Sequence, residues 1–347
     1  MPPLYLFNFP HPVGGAGTKV AHLLRLLHHD YDLTLVPNDP SPLADAERMA
    51  LLHSLNIKAA LLPDLPPRLE GWAVSLCNSL FFTEGLAAEA KRRGLRVAWG
   101  SEMMWAHPGE NAAVWGGLVD MVLYTGAAQR EALLPGYTCD GLFPEPRGAV
   151  VGNYIDPACY PFVERPARAV LTAGRVSRAD PAKFPDDFPQ TMHFPGVPRL
   201  HVRVLGWSET LTARYAGYDF MKGGAVTWEL LLPGAEDVCA FLHSLDFYVY
   251  DTGPGLRESW GRAVVEAMLT GLPVLIPADP RHHLHELVPH GVAGFHCTTP
   301  ADWHAAALAL TDERTRRRMG RAAADHARRI LCHADEHRAA WRKALRR

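Results

Sequence analysis

Short apolar runs recur along the chain, separated by segments whose apolar positions repeat every three or four residues. The runs predict strands at 3–9, 32–36, 57–62, 72–77, 95–99, 119–124 and 149–152. Helices are predicted between them at 18–29, 43–55, 84–93 and 126–134, the first with Thr18 as its N-cap. The strands lack polar alternation, the pattern of a parallel sheet covered on both faces. Residues 152–168, GNYIDPACYPFVERPAR, break the rhythm with proline and read as a linker. The rhythm then resumes, with strands at 169–173, 201–205, 226–232, 246–250 and 273–276. Helices follow at 236–244, 260–270, 301–309, 312–331 and 335–346. The prediction is α/β: two Rossmann-like halves, at 1–155 and 156–334, facing each other across a cleft. A last helix, 335–347, is expected to cross back to the first half.

Length and composition narrow the class. A chain of 347 residues, 48% of them hydrophobic, is comfortable for two domains with sizeable cores. A net charge of −2 argues against a protein devoted to polyanions. The six cysteines, at 77, 139, 159, 239, 297 and 332, show no paired spacing, which suits free thiols in a reducing cytoplasm. Residues 1–9 lack the basic start of a secretion signal, and no apolar run approaches the roughly 20 residues of a membrane span. The expectation is a cytoplasmic protein.

Two stretches carry candidate chemistry. The first strand runs into a glycine turn, PHPVGGAGTKV, holding Gly14, Gly15 and Gly17. Such a turn suits backbone held close to phosphate. It is no dinucleotide fingerprint, since G-x-G-x-x-G fails at Val20, and no P-loop, since Lys19 follows Thr18 rather than a glycine. The second stretch is DTGPGLRESWGRAVVEAMLTGLPVL, residues 251–275. Glu258 and Glu266 stand eight residues apart; on a helix that is about 12 Å of rise and roughly 80° of turn. This is too far for two carboxylates flanking one bond, which lie roughly 5–9.5 Å apart in glycosidases. It suits gripping the two ends of a sugar nucleotide. Backbone N–H groups near Trp260 and Gly261, at a helix start, would face the diphosphate.

The block E-S-W-G-R-A-V-V-E-A-M-x-x-G-L-P-V resembles the E-x7-E signature of retaining glycosyltransferases of the GT-B fold, family 4 in particular. Other pieces resemble the same family in the same order: the Gly14-Gly15 turn, VGNYID at 151–156, LTAGRVSRADPAK at 171–183 and DFYVY at 246–250. The resemblance implies a GT-B fold and sugar transfer from a nucleotide donor, UDP favoured over GDP, to an acceptor hydroxyl with retention. It implies Glu258 on a donor-sugar hydroxyl and Glu266 on the ribose. It implies Arg175 and Lys183 on the diphosphate, with Arg178 as a substitute, and Ser259, Trp260 and Gly261 around the donor. Gly14 and Gly15 would face the diphosphate from the first half. His107, beside Ser101 and Glu102, is the candidate for the family's sugar-contacting histidine. Such enzymes work by front-face attack without a metal, so no cofactor is implied, which suits a chain read as lacking a DxD-type acidic metal motif. After GLPV the family has a Gly-Gly turn; here the chain reads Ala278-Asp-Pro-Arg-His-His-Leu-His-Glu.

Other readings stay open. A sugar-nucleotide epimerase or a non-catalytic GT-B partner subunit would share the fold. His282, His283 and His285 with Glu286 are metal-ligand types, but without H-E-x-x-H spacing they are expected to line the donor loop or face water. Residues 312–347 hold twelve Lys or Arg against five Asp or Glu. They read as a solvated face, or as a peripheral contact with an anionic surface at the inner membrane. The acceptor class is open among saccharides, lipid-linked sugars, small molecules and nucleic acid.

Overall fold

A computed structural model of the chain describes residues 1–11, 15–194, 197–222, 224–279 and 282–346. It divides into two compact units. Met1–Asp156 and His333–Arg347 form the first, and Pro157–Cys332 the second.

The first unit is built on a parallel sheet of β1 (Pro3–Leu6), β2 (Asp32–Leu35), β3 (Lys58–Ala59), β4 (Trp72–Leu76), β5 (Arg96–Gly100), β6 (Met121–Tyr124) and β7 (Gly148–Val150). The spatial order is β3-β2-β1-β4-β5-β6-β7. The second unit holds β8 (Leu171–Val176), β9 (Leu200–Leu205), β10 (Val226–Leu231), β11 (Phe247–Val249), β12 (Val274–Pro277) and β13 (Gly294–Cys297). Its order is β10-β9-β8-β11-β12-β13, also parallel throughout. Every residue of β4 and of β11 is buried, which is why these strands read as unbroken apolar runs. Both units are Rossmann-like, and together they match the GT-B fold.

Each sheet reverses its winding once: between β1 and β4 in the first unit, and between β8 and β11 in the second. Ligands of open α/β sheets bind beyond the carboxyl ends of strands at such a switch point. Loops that leave β8 and β11 therefore occupy the second unit's binding position.

The structure corrects several sequence expectations. The first helix spans Gly15–Leu27, so Thr18 lies inside it and its hydroxyl donates to the Gly15 carbonyl rather than capping the helix. The expected strand at 57–62 shrinks to Lys58–Ala59. A helix continues to Thr138 through Pro135, where the pattern stopped at 134. β13 and the short helices Glu110–Trp115 and Glu209–Arg214 were not expected, being too short to show a period. The long basic helix is α-helical over Glu313–His326 and then widens into a π turn over Ala327–Leu331.

The correction that matters most concerns the glutamates. The helix carrying Glu266 spans Arg262–Leu269, and its N-cap Gly261 sits in the left-handed region at φ +40°. A β-carbon there would meet Leu284 Cδ2 at 2.2 Å, so any other residue would be strained and would have to displace Leu284. Glu258 consequently lies in the loop before the helix, and the helical rise from Glu258 to Glu266 does not apply.

Candidate active site

At the switch point of the second unit, β8 supplies Arg175, which is fully buried. Its guanidinium lies 4.2 Å from the Phe184 ring centroid and 5.4 Å from that of Tyr250. One Nη donates to the Asp251 carbonyl and the other to the Lys183 carbonyl, both at 2.7 Å. Arg175 thus fixes the backbones that leave β11 and that carry Lys183. Burial pulls its pKa down. Burial pushes the neighbouring Asp251 carboxyl the other way, up to about 6.

Lys183 ends a one-turn 3-10 helix, Pro181–Lys183, capped by the Asp180 side chain. Gly253 packs against this turn; a β-carbon on it would meet the Ala182 carbonyl oxygen at 2.7 Å. The Lys183 ammonium pairs with Glu258 Oε1 and donates to the Tyr250 hydroxyl at 3.3 Å. That hydroxyl in turn donates to Glu258 Oε1 at 2.6 Å. Lys183 and Glu258 side chains are only 14% and 13% exposed, so the pair is weakly screened.

Glu266 is buried in its helix, with Arg262 Nη2 at 3.3 Å. Burial, with the Glu266 carboxylate adding to it, pushes the Tyr160 hydroxyl upward. Trp260 is buried, while Ser259 is half-buried and offers its carbonyl to His283. Arg178 stands apart: its side chain is 59% exposed and lies 3.8 Å from Asp180. The structure therefore brings together Arg175, Lys183 and Glu258, and leaves Arg178 outside the cluster. Tyr250 and Asp251 were missed. Two tyrosines two apart in DFYVY share one strand face, and buried hydroxyls there must find polar partners. That was the available signal.

In the first unit, His107 Nε2 is 3.3 Å from the Ser101 carbonyl and 3.4 Å from Cys77 Sγ. Its backbone N–H donates at 2.6 Å to Glu110, which is fully buried and also accepts from the Tyr137 hydroxyl. Next to it, Glu102 sits at φ +62° and pairs with the buried Lys19. Asn153 Nδ2 reaches the other Glu102 oxygen at 3.4 Å. Lys19 carried no role in the sequence, and a lysine among small residues gives no sign of burial. Gly15 opens the first helix and is exposed. Gly14 lies outside the described residues.

The reading that the chain lacks a DxD-type motif overlooked Asp30-Tyr31-Asp32, which has its letters. It lies at the amino end of β2. Its carboxylates are taken by Arg338 and Arg342 on one side and Lys58 on the other. Among the described residues no group of three or more His, Cys, Asp or Glu is placed to hold a metal ion. No helix among them is long and apolar enough to cross a membrane.

This geometry coincides with a family match. Residues 175–326 match the family described as Glycosyl transferases group 1. The matched segment holds Arg175, Lys183, Tyr250, Glu258 and Glu266. Solved structures resemble the whole chain. Anabaena HepE in complex with UDP and glucose is 14% identical over 99% of both chains, with a TM-score of 0.69. Sucrose-phosphate synthase from Thermosynechococcus elongatus is 13% identical over 99% of this chain and 98% of its own, at 0.68. A glycosyltransferase from Rickettsia africae is 8% identical over 99% of both, at 0.73. At such identities the likeness shows the fold. No curated protein matches the chain.

Proposed function

We propose that the protein is a retaining glycosyltransferase. It would move a sugar from a nucleotide diphosphate donor, a UDP-sugar first among candidates, to an acceptor hydroxyl by metal-independent front-face attack. The observation that carries this reading is the Lys183–Tyr250–Glu258 cluster. It stands at the second sheet's switch point, inside the segment that matches Glycosyl transferases group 1. The UDP and UDP-glucose bound by the Anabaena protein agree in ligand class.

The residues divide the work by charge. A departing diphosphate gains negative charge, and a fixed cation in a poorly screened site stabilises it. Lys183 is that cation. Arg175, buried behind it, adds positive potential and holds the Lys183 backbone still. Without donor, Lys183 is neutralised by Glu258. An arriving diphosphate competes for the ammonium and leaves the Glu258 carboxylate to accept from a donor-sugar hydroxyl. Glu266 receives the ribose hydroxyls. Lys183 supplies on the protein the charge that a metal ion would otherwise bring, which is why no metal is assigned. The first unit selects the acceptor.

The test is a panel of UDP- and GDP-sugars, read by thermal stabilisation and slow donor hydrolysis. At millimolar UDP-sugar the melting temperature should rise, as it must for any ligand that binds only the folded state. No shift and no hydrolysis with any donor would reject the reading. Glu266→Ala should weaken UDP binding. Glu258→Ala should lower turnover more than UDP affinity, and the reverse pattern would exchange the two assignments. Full activity after chelation, with no gain from added Mg²⁺ or Mn²⁺, is the outcome expected of a metal-independent transfer.

A further inference from the structure

The segment that departs from the family pattern, after GLPV, does something specific here. Where the resembling enzymes carry a Gly-Gly turn, this chain places His282 and His283, both buried. Neither belongs to the cluster just described, yet both reach the loop that bears Glu258.

The Glu258 backbone N–H donates to His282 Nδ1 at 3.1 Å. The His283 N–H donates to the Glu258 carbonyl at 3.3 Å, and His283 Nδ1 donates to the Ser259 carbonyl at 3.0 Å. Three hydrogen bonds thus hold two consecutive residues of a loop. Helical hydrogen bonding does not reach these two residues, because they precede the first helical turn, and glycines flank the loop at 253, 255 and 261.

The hydrogen bonding also decides which nitrogen carries the proton. A backbone N–H can only donate, so His282 Nδ1 must be the bare acceptor and Nε2 the protonated atom. Nε2 lies 3.4 Å from the Thr252 hydroxyl and 4.0 Å from Asp279 Oδ2, both able to accept. His283 has the opposite need. Its Nδ1 faces a carbonyl and its Nε2 lies 2.7 Å from Glu286 Oε2, so both nitrogens face acceptors. Each Nδ1 is taken by a backbone group, and among the described residues no three metal-ligating side chains gather at one point, so these histidines act as backbone ligands rather than metal ligands.

We infer that His282 and His283 are positioning residues: they brace the Glu258–Ser259 backbone and so aim the Glu258 carboxylate. The consequence for turnover rests on the glycosyltransferase reading; the brace itself does not. Glycine at these positions would leave the Glu258 N–H and the Ser259 carbonyl to other partners. The brace therefore marks a loop held by two side chains at the point where the resembled family carries a Gly-Gly turn.

The experiment compares His282→Asn, His282→Gln and His282→Ala in the full chain. Asparagine places an acceptor oxygen near Nδ1; glutamine places its polar end near Nε2 and leaves Nδ1 unreplaced. Amide hydrogen exchange is followed in the peptide spanning 257–261, with UDP affinity and UDP-sugar turnover measured alongside. Expected is protection at Glu258 retained in the asparagine variant and reduced about tenfold or more in the glutamine and alanine variants. Turnover should follow the same order, falling roughly tenfold to a hundredfold for a misaimed carboxylate. UDP affinity should stay within about twofold, because Glu266 is untouched. Equal behaviour of the asparagine and glutamine variants, in exchange and in turnover, overturns the brace. Should no UDP-sugar bind the wild-type protein, the exchange contrast still tests the brace, while the functional reading falls alone.

Discussion

Arg175 takes a charge into the interior of the second unit and ends it on two backbone carbonyls rather than on a carboxylate. An arginine in GRV reads as a candidate phosphate ligand from sequence, and the strand position was legible. Its burial was not, because that depends on Phe184 and Tyr250 arriving from other elements. Replacing Arg175 by methionine keeps much of the packing and leaves the Lys183 and Asp251 carbonyls unpaired. The expected loss is about 2–4 kcal/mol, read from urea unfolding, with lysine restoring only part because it cannot span both carbonyls. Asp251 beside it gives a pH signature. Its folded pKa is about 6 against an ordinary 3.8. Between those values the folded chain holds a proton that the unfolded chain has released, so stability falls as pH rises through the window. The cost reaches at most about 3 kcal/mol above the window, since each tenfold change in proton affinity is worth about 1.4 kcal/mol. Asp251→Asn should abolish this slope: its urea midpoint relative to wild type should climb from about pH 4 to pH 6 and then level off. A constant difference across that range would mean that Asp251 titrates normally in the folded protein.

At the scale of elements, the sequence was most legible where a strand is buried on both faces and least where an element is short. β4 and β12 stand close to their predicted positions, whereas GFHC at 294–297 was too brief to be separated from a turn. The glutamate helix shows why a motif can be located while its geometry is misjudged. The helix was expected at 260–270, already past Glu258, yet the E-x7-E spacing was converted as a helical rise; Gly261 takes a left-handed cap and starts the helix after Glu258. Gly271, left-handed at φ +87°, ends that helix, and a residue far away in sequence satisfies its last carbonyl. Arg165, in the proline-rich linker, is 5% exposed. It donates to the Thr270 carbonyl and hydroxyl at one helix end, and to Leu242 and Leu245 carbonyls at the end of Val238–Ser244. Carbonyls at helix C-termini are unsatisfied by the helix itself and attract cations. Arg165→Ala should therefore cost the second unit about 3 kcal/mol or more, since buried acceptors are left without donors. Denaturant unfolding of the full chain checks it, and a loss under about 1 kcal/mol would show that water replaces the guanidinium.

For the whole molecule, the chain leaves the first unit at Asp156 and returns to it at His333. Periodicity alone located the last helix, observed at Ala334–Ala344, but the partners that give it a place come from far along the chain. Trp341 is 1% exposed and Leu345 6%. The Leu345 carbonyl accepts from the Trp72 indole N–H at 2.8 Å. Arg338 and Arg342 both bind Asp30, whose carboxyl is held below its usual range mainly by the Arg338 hydrogen bond. Arg96 lies over the Trp72 ring and donates to the Arg346 carbonyl. The basic residues of this segment that the sequence offered to an anionic surface are thus in part committed to the unit's own acids and carbonyls. Deleting 333–347 would expose the surfaces that Trp341 and Leu345 cover, at about 1.5–3 kcal/mol each, and strand the Trp72 N–H and Asp30 besides. The loss should fall on one unit only. Hydrogen exchange of the truncated chain should show peptides within 1–156 losing protection, β4 and the strand beside it at β5 among them, while those within 157–332 keep theirs. Equal loss in both sets would mean that the two units share one folding transition, and the last helix would then stabilise the protein as a whole rather than complete its first sheet.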